Sequence, residues 1–127
     1  MPHALGLSAR ASFVACDYAT ALRGPVEVLV SNPPYVARAD IAGLQAEVRD
    51  FDPPRALDGG PDGLDGYRAI APHAARLLAP DGILVLELGQ GQLGPVTSIL
   101  AAAALAPVAP RYDLAGIARA LVMRLRP

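Results

Sequence analysis

The chain has 127 residues, which suits one domain over residues 1–127, and its longest apolar run, around residues 99–105, is too short to span a membrane. Its one cysteine, Cys16, excludes an internal disulfide framework and predicts the reducing cytoplasm, and no cysteine and histidine clusters suggest a bound metal. The net charge is −1 and the basic residues are scattered arginines, which disfavours a nucleic-acid substrate.

The first predicted strand covers residues 11–16, an apolar stretch in which Cys16 is expected to be a buried structural thiol. Asp17 and Tyr18 follow at its carboxyl end. The Asp17 carboxylate could accept a hydrogen bond from an exocyclic amine, and the Tyr18 ring could stack on a purine. Asp17 could equally cap a short helix over residues 18–22, and the residues themselves leave both readings open.

The second predicted strand covers residues 26–30, whose valines and leucine indicate a buried parallel strand. It ends in Asn32, Pro33, Pro34 and Tyr35. Each proline lacks an N–H and holds the residue before it extended, so the backbone oxygens are not absorbed into a helix. The Asn32 side-chain oxygen and the Pro33 carbonyl can then accept both N–H bonds of a planar NH2 group, with Tyr35 packed beside it. Such acceptors would aim the nitrogen at an electrophile and offset its growing positive charge.

The later elements are predicted from periodicity and from turn residues. The predicted helices cover residues 41–48, with Asp40 as cap, 65–78 and 92–104; Pro72 should kink the second helix or leave a gap in its hydrogen bonds. The predicted strands are residues 83–88 and a closing hairpin of residues 107–112 and 118–125. The segment 49–66, dense in Asp, Gly and Pro, is expected to cover the substrate. Glu87 is expected to support the site and His73 to be exposed without a catalytic role.

The Asn-Pro-Pro-Tyr stretch after an apolar strand resembles motif IV of S-adenosylmethionine-dependent methyltransferases that act on planar nitrogens. Residues 47–64 and the Asp-Leu-x-Gly-x-x-Arg segment at 113–119 resemble one family more closely. That family is the protein-(glutamine-N5) methyltransferases of peptide chain release factors, known as HemK or PrmC. The resemblance implies S-adenosylmethionine as cofactor and a glutamine-bearing loop of a release factor as substrate.

The resemblance also implies roles for individual residues. Asn32 and Pro33 would be catalytic, and the same two residues with Pro34 and Tyr35 would bind the substrate amide. Asp17, Tyr18 and Asn32 would contact the cofactor, with Asp17 and Tyr18 beside the adenine.

The fold that the resemblance implies is α/β, a partial Rossmann-like class I S-adenosylmethionine-dependent methyltransferase sheet with a terminal antiparallel hairpin. The full sheet has the order 3-2-1-4-5-7-6, and this chain would hold strands 3-4-5-7-6, without strands 1 and 2. It would be a single truncated catalytic domain, the carboxyl-terminal part of the family's domain. Residues 11–16 would then lack their normal neighbour, and residues 26–30 would expose unpaired backbone groups. We therefore expect the chain alone to bind cofactor poorly.

Two other functions are compatible with the same residues. The tetrapeptide also occurs in enzymes that methylate adenine N6 or cytosine N4, but the chain has no basic tract or target-recognition region. The second alternative is a non-catalytic remnant or interaction domain, which the missing cofactor half favours.

Overall fold

The computed structural model describes residues 4–127, so His3, which is expected to be solvated, lies outside the described residues. A 3₁₀ helix, Arg38–Gly43, follows the first strand. The strands are β1 (Val26–Ser31), β2 (Leu78–Glu87), β3 (Leu105–Tyr112) and β4 (Ala118–Leu125), and the α-helices are α1 (Ala46–Phe51), α2 (Pro54–Leu57), α3 (Asp65–Leu77) and α4 (Leu93–Ala102).

The four strands form one mixed sheet in the order β1-β2-β4-β3. β1 runs parallel to β2, with Val30 opposite Val85, and β4 runs antiparallel to β2, with Val85 opposite Val122. β3 and β4 form the antiparallel hairpin that the sequence predicts. The parallel pair is also confirmed, and its carboxyl ends carry Asn32 on one strand and Leu88 on the other.

The core lies between one face of the sheet and the helices α3 and α4. On β2, buried Leu84 and Leu86 alternate with half-buried Ile83 and Val85, which is the period of a strand that buries one face. Helix α3 forms as its spacing predicts and continues through Pro72. The buried side chains that α3 and α4 add to this core are those of Tyr67, Ile70, Ala71, Ala74, Leu77, Val96 and Leu100.

The predicted strand over residues 11–16 is wrong, because these residues form no strand. Phe13 is 77% exposed, and the thiol of Cys16 is exposed rather than buried. A strand is stabilised by the neighbour with which it pairs, and no described residue pairs with this stretch. The sheet within residues 4–127 therefore has four strands instead of the five expected. Residues 18–21 form a turn in place of the predicted short helix.

β1 is an edge strand, and its predicted burial is wrong. Val28 is 57% exposed and Val30 is 68% exposed. Among residues 4–127, β2 is the one strand that pairs with it, so its outer edge presents unpaired backbone groups, as the sequence predicts.

The segment between β1 and α3 contains more helix than the sequence predicts. The predicted helix over residues 41–48 is replaced by the 3₁₀ helix and by α1. Asp40 lies inside the 3₁₀ helix and is not its cap. The short helix α2 and the end of α1 lie within the segment 49–66, so this covering segment is only partly irregular.

Candidate active site

The Asn-Pro-Pro-Tyr stretch leaves β1 and packs against the first turn of α3. Pro33 is buried, whereas Asn32 is exposed. A Cβ atom at Gly66 would lie 2.8 Å from the Cβ of Pro33 and 3.2 Å from the Pro34 carbonyl oxygen. Glycine at this position therefore lets the first turn of α3 pack directly against the two prolines.

Asn32, Pro33 and Tyr35 together line a cleft of about 450 Å³. Its other walls come from the segment between the 3₁₀ helix and α3, and they are mostly apolar. Within residues 4–127, neither the Asn32 side chain nor the Pro33 carbonyl has a hydrogen-bond partner. Neither oxygen is therefore engaged by another group within that part of the chain. The remaining lining residues are Val36, Leu44, Val48, Asp52, Ala56 and Leu57.

The Tyr35 side chain is held by the last residue of β2. Its hydroxyl donates a hydrogen bond to Glu87 Oε1 at 2.9 Å. Burial, and then the neighbouring Glu87 carboxylate, raise the pKa of Tyr35 above its ordinary value. Tyr35 is thus a protonated donor whose ring is fixed at the cleft, and Glu87 contacts a predicted site residue as expected.

The chain that follows Tyr35 is joined to the segment after α2 by backbone hydrogen bonds. The Val36 amide donates to the Leu57 carbonyl at 3.1 Å, and the Gly59 amide donates to the Val36 carbonyl at 2.8 Å. Val36 and Asp58 form an isolated parallel bridge. Arg38 donates to the Asp58 carboxylate at 2.9 Å and lowers the pKa of that carboxyl group. Residues 57–59, which belong to the segment 49–66, are therefore fixed to the chain that follows Tyr35.

Gln92 also contacts the site, and no pattern in the sequence indicates this role. Its Nε2 donates to the Tyr35 carbonyl at 2.9 Å and to the Gly63 carbonyl at 3.2 Å. Its Oε1 accepts from the Gly89 amide at 2.9 Å and lies 3.1 Å from the Tyr67 hydroxyl, whose single hydrogen is shared with the Glu87 carbonyl at 2.7 Å. Gln92 and Tyr35 are 57 residues apart in the chain, and local spacing cannot predict such a contact.

Asp17 and Tyr18 lie at a second, more open cleft of about 830 Å³, which they share with Pro34. Tyr18 has a φ of +48°, and its hydroxyl oxygen would lie 3.3 Å from a Cβ atom at Gly66. Burial, and then the Asp17 carboxylate, raise the pKa of Tyr18. The predicted site residues thus line two clefts, one bordered by Pro33 and the other by Pro34.

Helix α3 holds the segment that carries Tyr18. Arg76 donates from Nη1 to the Leu22 carbonyl at 2.8 Å and from Nη2 to the Ala19 carbonyl at 3.1 Å. His73 Nδ1 lies 3.1 Å from Arg76 Nη2. His73 is half-buried, so its predicted exposure is wrong. This anchor explains how residues 17–22 keep their place without a strand before them.

Residues 4–127 contain no group of three or more His, Cys, Asp or Glu side chains placed to hold a metal ion. No helix in the same part of the chain has the length and apolar character needed to cross a membrane.

Three known proteins that are similar to the chain carry the same name, release factor glutamine methyltransferase. The chain is 54% identical to a release factor glutamine methyltransferase of Bradyrhizobium diazoefficiens, over 97% of this chain and 42% of the relative. It is 51% identical to one of Rhodospirillum rubrum, over 97% of this chain and 38% of the relative. One of Cereibacter sphaeroides is 43% identical, over 96% of this chain and 44% of the relative.

A solved structure shows the same fold. It is described as a candidate DNA modification methylase from Thermus thermophilus, and it superposes with a TM-score of 0.56 over 87% of this chain and 50% of its own. The identity is 17%, so this likeness concerns the fold alone. No protein-family model matches the chain.

The chain spans about two fifths of the length of the relatives that it matches. Over that length it is a homologue of release factor glutamine methyltransferases, which confirms the family that the Asn-Pro-Pro-Tyr stretch and residues 47–64 indicate.

Proposed function

We propose that this chain carries the amide-binding site of an S-adenosylmethionine-dependent methyltransferase, and that its substrate is the glutamine side chain of a peptide chain release factor. The observation that supports this proposal is that Asn32 and Pro33 line one cleft and that their acceptor oxygens have no hydrogen-bond partner within residues 4–127. A primary amide offers two N–H donors in one plane, which such a pair of oxygens can accept.

The residues of the chain act by positioning. Asn32 and Pro33 hold the two N–H bonds, so that the nitrogen faces the methyl donor in a reactive orientation. The positive charge that grows on the nitrogen as the new N–C bond forms is offset by the same two oxygens. Tyr35, fixed by Glu87, packs beside the flat amide, and Pro34 keeps the stretch rigid.

The residues at the second cleft fit the nucleoside end of the cofactor. Tyr18 offers an aromatic ring and Asp17 a carboxylate acceptor, and both border Pro34, next to the proposed amide site. S-adenosylmethionine, when bound, supplies an electrophilic methyl group. We propose that Asp17, Tyr18 and Asn32 contact it, because Asp17 and Tyr18 line the cleft bordered by Pro34, and Asn32 lines the adjoining cleft bordered by Pro33.

The strand order supports a finer assignment of the fold. The observed order β1-β2-β4-β3 is that expected for strands 4-5-7-6 of a class I methyltransferase sheet, in which the last strand lies between its two predecessors. We propose this correspondence, with residues 1–127 as one partial catalytic domain. Because release factors act in translation, we expect the chain in the cytoplasm.

A methylation assay tests the proposed function. We expect labelled methyl transfer to a release factor with a Gly-Gly-Gln loop, measured with this chain and with an amino-terminally extended version. Asn32→Ala should reduce the rate at least about 100-fold, because one of two charge-offsetting acceptors is lost. Gln90→Ala is the control, since Gln90 is exposed and lies just beyond the carboxyl end of the neighbouring strand β2.

The remaining outcomes separate the alternatives. Methyl transfer to DNA but not to the release factor would favour a nucleic-acid methyltransferase. No transfer by either version would favour a non-catalytic remnant or interaction domain.

A further inference from the structure

Gln92 stands where a helix cap would stand, yet its side chain does not cap the helix. It directly precedes α4, and its backbone carbonyl accepts the Val96 amide at 2.9 Å. No hydrogen bond joins its side chain to the first turn of α4. The side chain instead contacts three other parts of the chain, so its role has to be sought in those contacts.

The hydrogen bonds of the Gln92 side chain use the full capacity of a primary amide, which has two N–H donors and an oxygen with two lone pairs. Both donors are used, one by the Tyr35 carbonyl and one by the Gly63 carbonyl. The oxygen accepts from the Gly89 amide, and it shares the single hydrogen of the Tyr67 hydroxyl with the nearer Glu87 carbonyl. A carboxylate of the same shape would keep the two acceptor contacts and lose both donor contacts.

The surrounding backbone is fitted closely to this amide. A Cβ atom at Gly89 would lie 2.7 Å from Gln92 Oε1. A Cβ atom at Gly63 would lie 2.5 Å from the Tyr35 carbonyl oxygen and 3.0 Å from Gln92 Nε2. Gly63 also has a φ of +79°, which other residues rarely adopt. The two glycines thus leave room for the amide and for little else.

The contact with Tyr35 is the one that bears on the acceptor oxygens. Before the stretch, Ser31 is fixed opposite Leu86 in the parallel ladder. After it, the Tyr35 carbonyl is fixed by Gln92. The two prolines between them have restricted backbone angles, so fixing both ends fixes the orientation of the Pro33 carbonyl.

We propose that Gln92 is a positioning residue that sets the orientation of the Pro33 acceptor through its bond to the Tyr35 carbonyl. Its effect on methyl transfer rests on the proposed function, whereas its effect on the backbone does not. Gln92 itself lines neither the cleft at Asn32 and Pro33 nor the cleft at Asp17 and Tyr18.

The test compares Gln92→Glu, which removes the donors and keeps the acceptor, with Gln92→Met, which removes both. Gln90→Glu is the matched control, because it adds the same charge two positions away at an exposed residue. Nuclear magnetic resonance of the chain reports the Tyr35 carbonyl shift and the exchange rates of the Val36 and Gly89 amides.

We expect Gln92→Glu to move the Tyr35 carbonyl shift and to raise Val36 exchange on the order of tenfold, the scale of one lost hydrogen bond. Gly89 exchange should stay low in Gln92→Glu and should rise only in Gln92→Met. In the methylation assay, Gln92→Glu should lower kcat more than it raises KM for the release factor.

An unchanged Tyr35 carbonyl shift in Gln92→Glu, or an equal change in Gln90→Glu, would overturn the proposal. So would Tyr35, Val36 and Gly89 signals that all change in step, since that pattern indicates a general loss of stability. If no methyl transfer is found at all, the proposed function fails, while the resonance measurements still decide the role of Gln92.

Discussion

At the scale of single residues, the site depends on polar groups that are satisfied from distant parts of the chain. Tyr67 illustrates this, because its ring belongs to the core while its hydroxyl donates to the Glu87 carbonyl at 2.7 Å. A buried phenol must find such a partner, since an unpaired hydroxyl in the core is costly. The partner here is the strand end that also carries the Tyr35 contact.

Tyr67 should make the stability of the fold depend on alkaline pH. Burial raises its pKa in the folded state, whereas a tyrosine in the unfolded chain ionises near pH 10. Above about pH 10, unfolding therefore releases a proton and becomes more favourable as the pH rises. The contribution is complete below pH 10 and is lost as the pH rises through the higher folded pKa.

Urea unfolding at pH 9 and pH 11 measures this dependence. We expect a lower urea midpoint at pH 11, with a smaller decrease in Tyr67→Phe than in the unchanged chain. Tyr112→Phe, at a tyrosine that is 60% exposed, should keep the full decrease. Equal decreases in all three proteins would contradict the assignment to Tyr67.

The sequence predicts Asn32 and Pro33 as acceptors, but it does not indicate Gln92, which binds the Tyr35 carbonyl next to them. Asn32 and Pro33 could be found because prolines constrain their immediate neighbours, which is a local effect. Gln92 could not, because its partners belong to Tyr35, Gly63 and Tyr67, which come together only in the folded chain. Residues that support a site through long-range hydrogen bonds leave no periodic signal.

At the scale of elements, those with a periodic buried face are predicted well, whereas a strand that also needs a neighbouring strand is not. Helix α3 and the β3–β4 hairpin were predicted within a few residues, because their buried faces recur with a fixed period. Residues 11–16 have an apolar strand-like composition as well, but a strand also needs a neighbour. Without one, this stretch stays irregular and its Phe13 side chain stays exposed.

Arg76 should decide whether the segment that carries Tyr18 stays ordered. Arg76→Met removes the donors to the Ala19 and Leu22 carbonyls while keeping a long apolar side chain. We expect trypsin to cleave after Arg23 on the order of tenfold faster in this variant, because charged hydrogen bonds of this kind are among the stronger ones.

Mass spectrometry of timed digests measures this cleavage. Arg111→Met is the control, because Arg111 is exposed and, among residues 4–127, its side chain bonds only the carbonyl of its neighbour Pro110. Equal cleavage after Arg23 in both variants would show that other contacts order the segment.

The exposed face of β1 should promote self-association. Val30 is 68% exposed on a strand whose outer edge is unpaired among the described residues, and such edges pair with other chains. We expect Val30→Lys to lower the apparent mass of concentrated solutions in sedimentation experiments, without lowering the melting temperature.

Val108→Lys is the matched control for β1, at a valine that is 53% exposed on the opposite edge strand. The register of β3 shifts between Pro107 and Ala109, next to Val108, so this edge is already irregular. The lysine should have little effect there. An equal decrease in mass for both variants would mean that surface charge alone controls association.

At the scale of the whole molecule, the two clefts beside the proline pair differ, because the cleft at Asp17 and Tyr18 is larger and more open than the cleft at Asn32 and Pro33. The cleft at Asp17 and Tyr18 has about 830 Å³ and lies beside a segment without regular structure. An open cleft excludes little water and orders a ligand poorly, so its affinity should be low.

We therefore expect these 127 residues to bind S-adenosylmethionine weakly. Isothermal titration calorimetry should show no saturation at micromolar cofactor, whereas a version extended at the amino terminus should saturate. Tight binding by the 127 residues alone would contradict this expectation.

The prolines of β3 leave β1 as the edge of this sheet that can pair with a further strand. Pro107 and Pro110 lack the amide hydrogens that a new neighbour would need, whereas β1 contains no proline between Val26 and Ser31. We expect a further strand, added by design or supplied by a second polypeptide, to pair with β1 and not with β3. Because Asn32 follows β1 directly, such a strand would border the proposed amide site, and we expect strand complementation to increase the proposed methyl transfer.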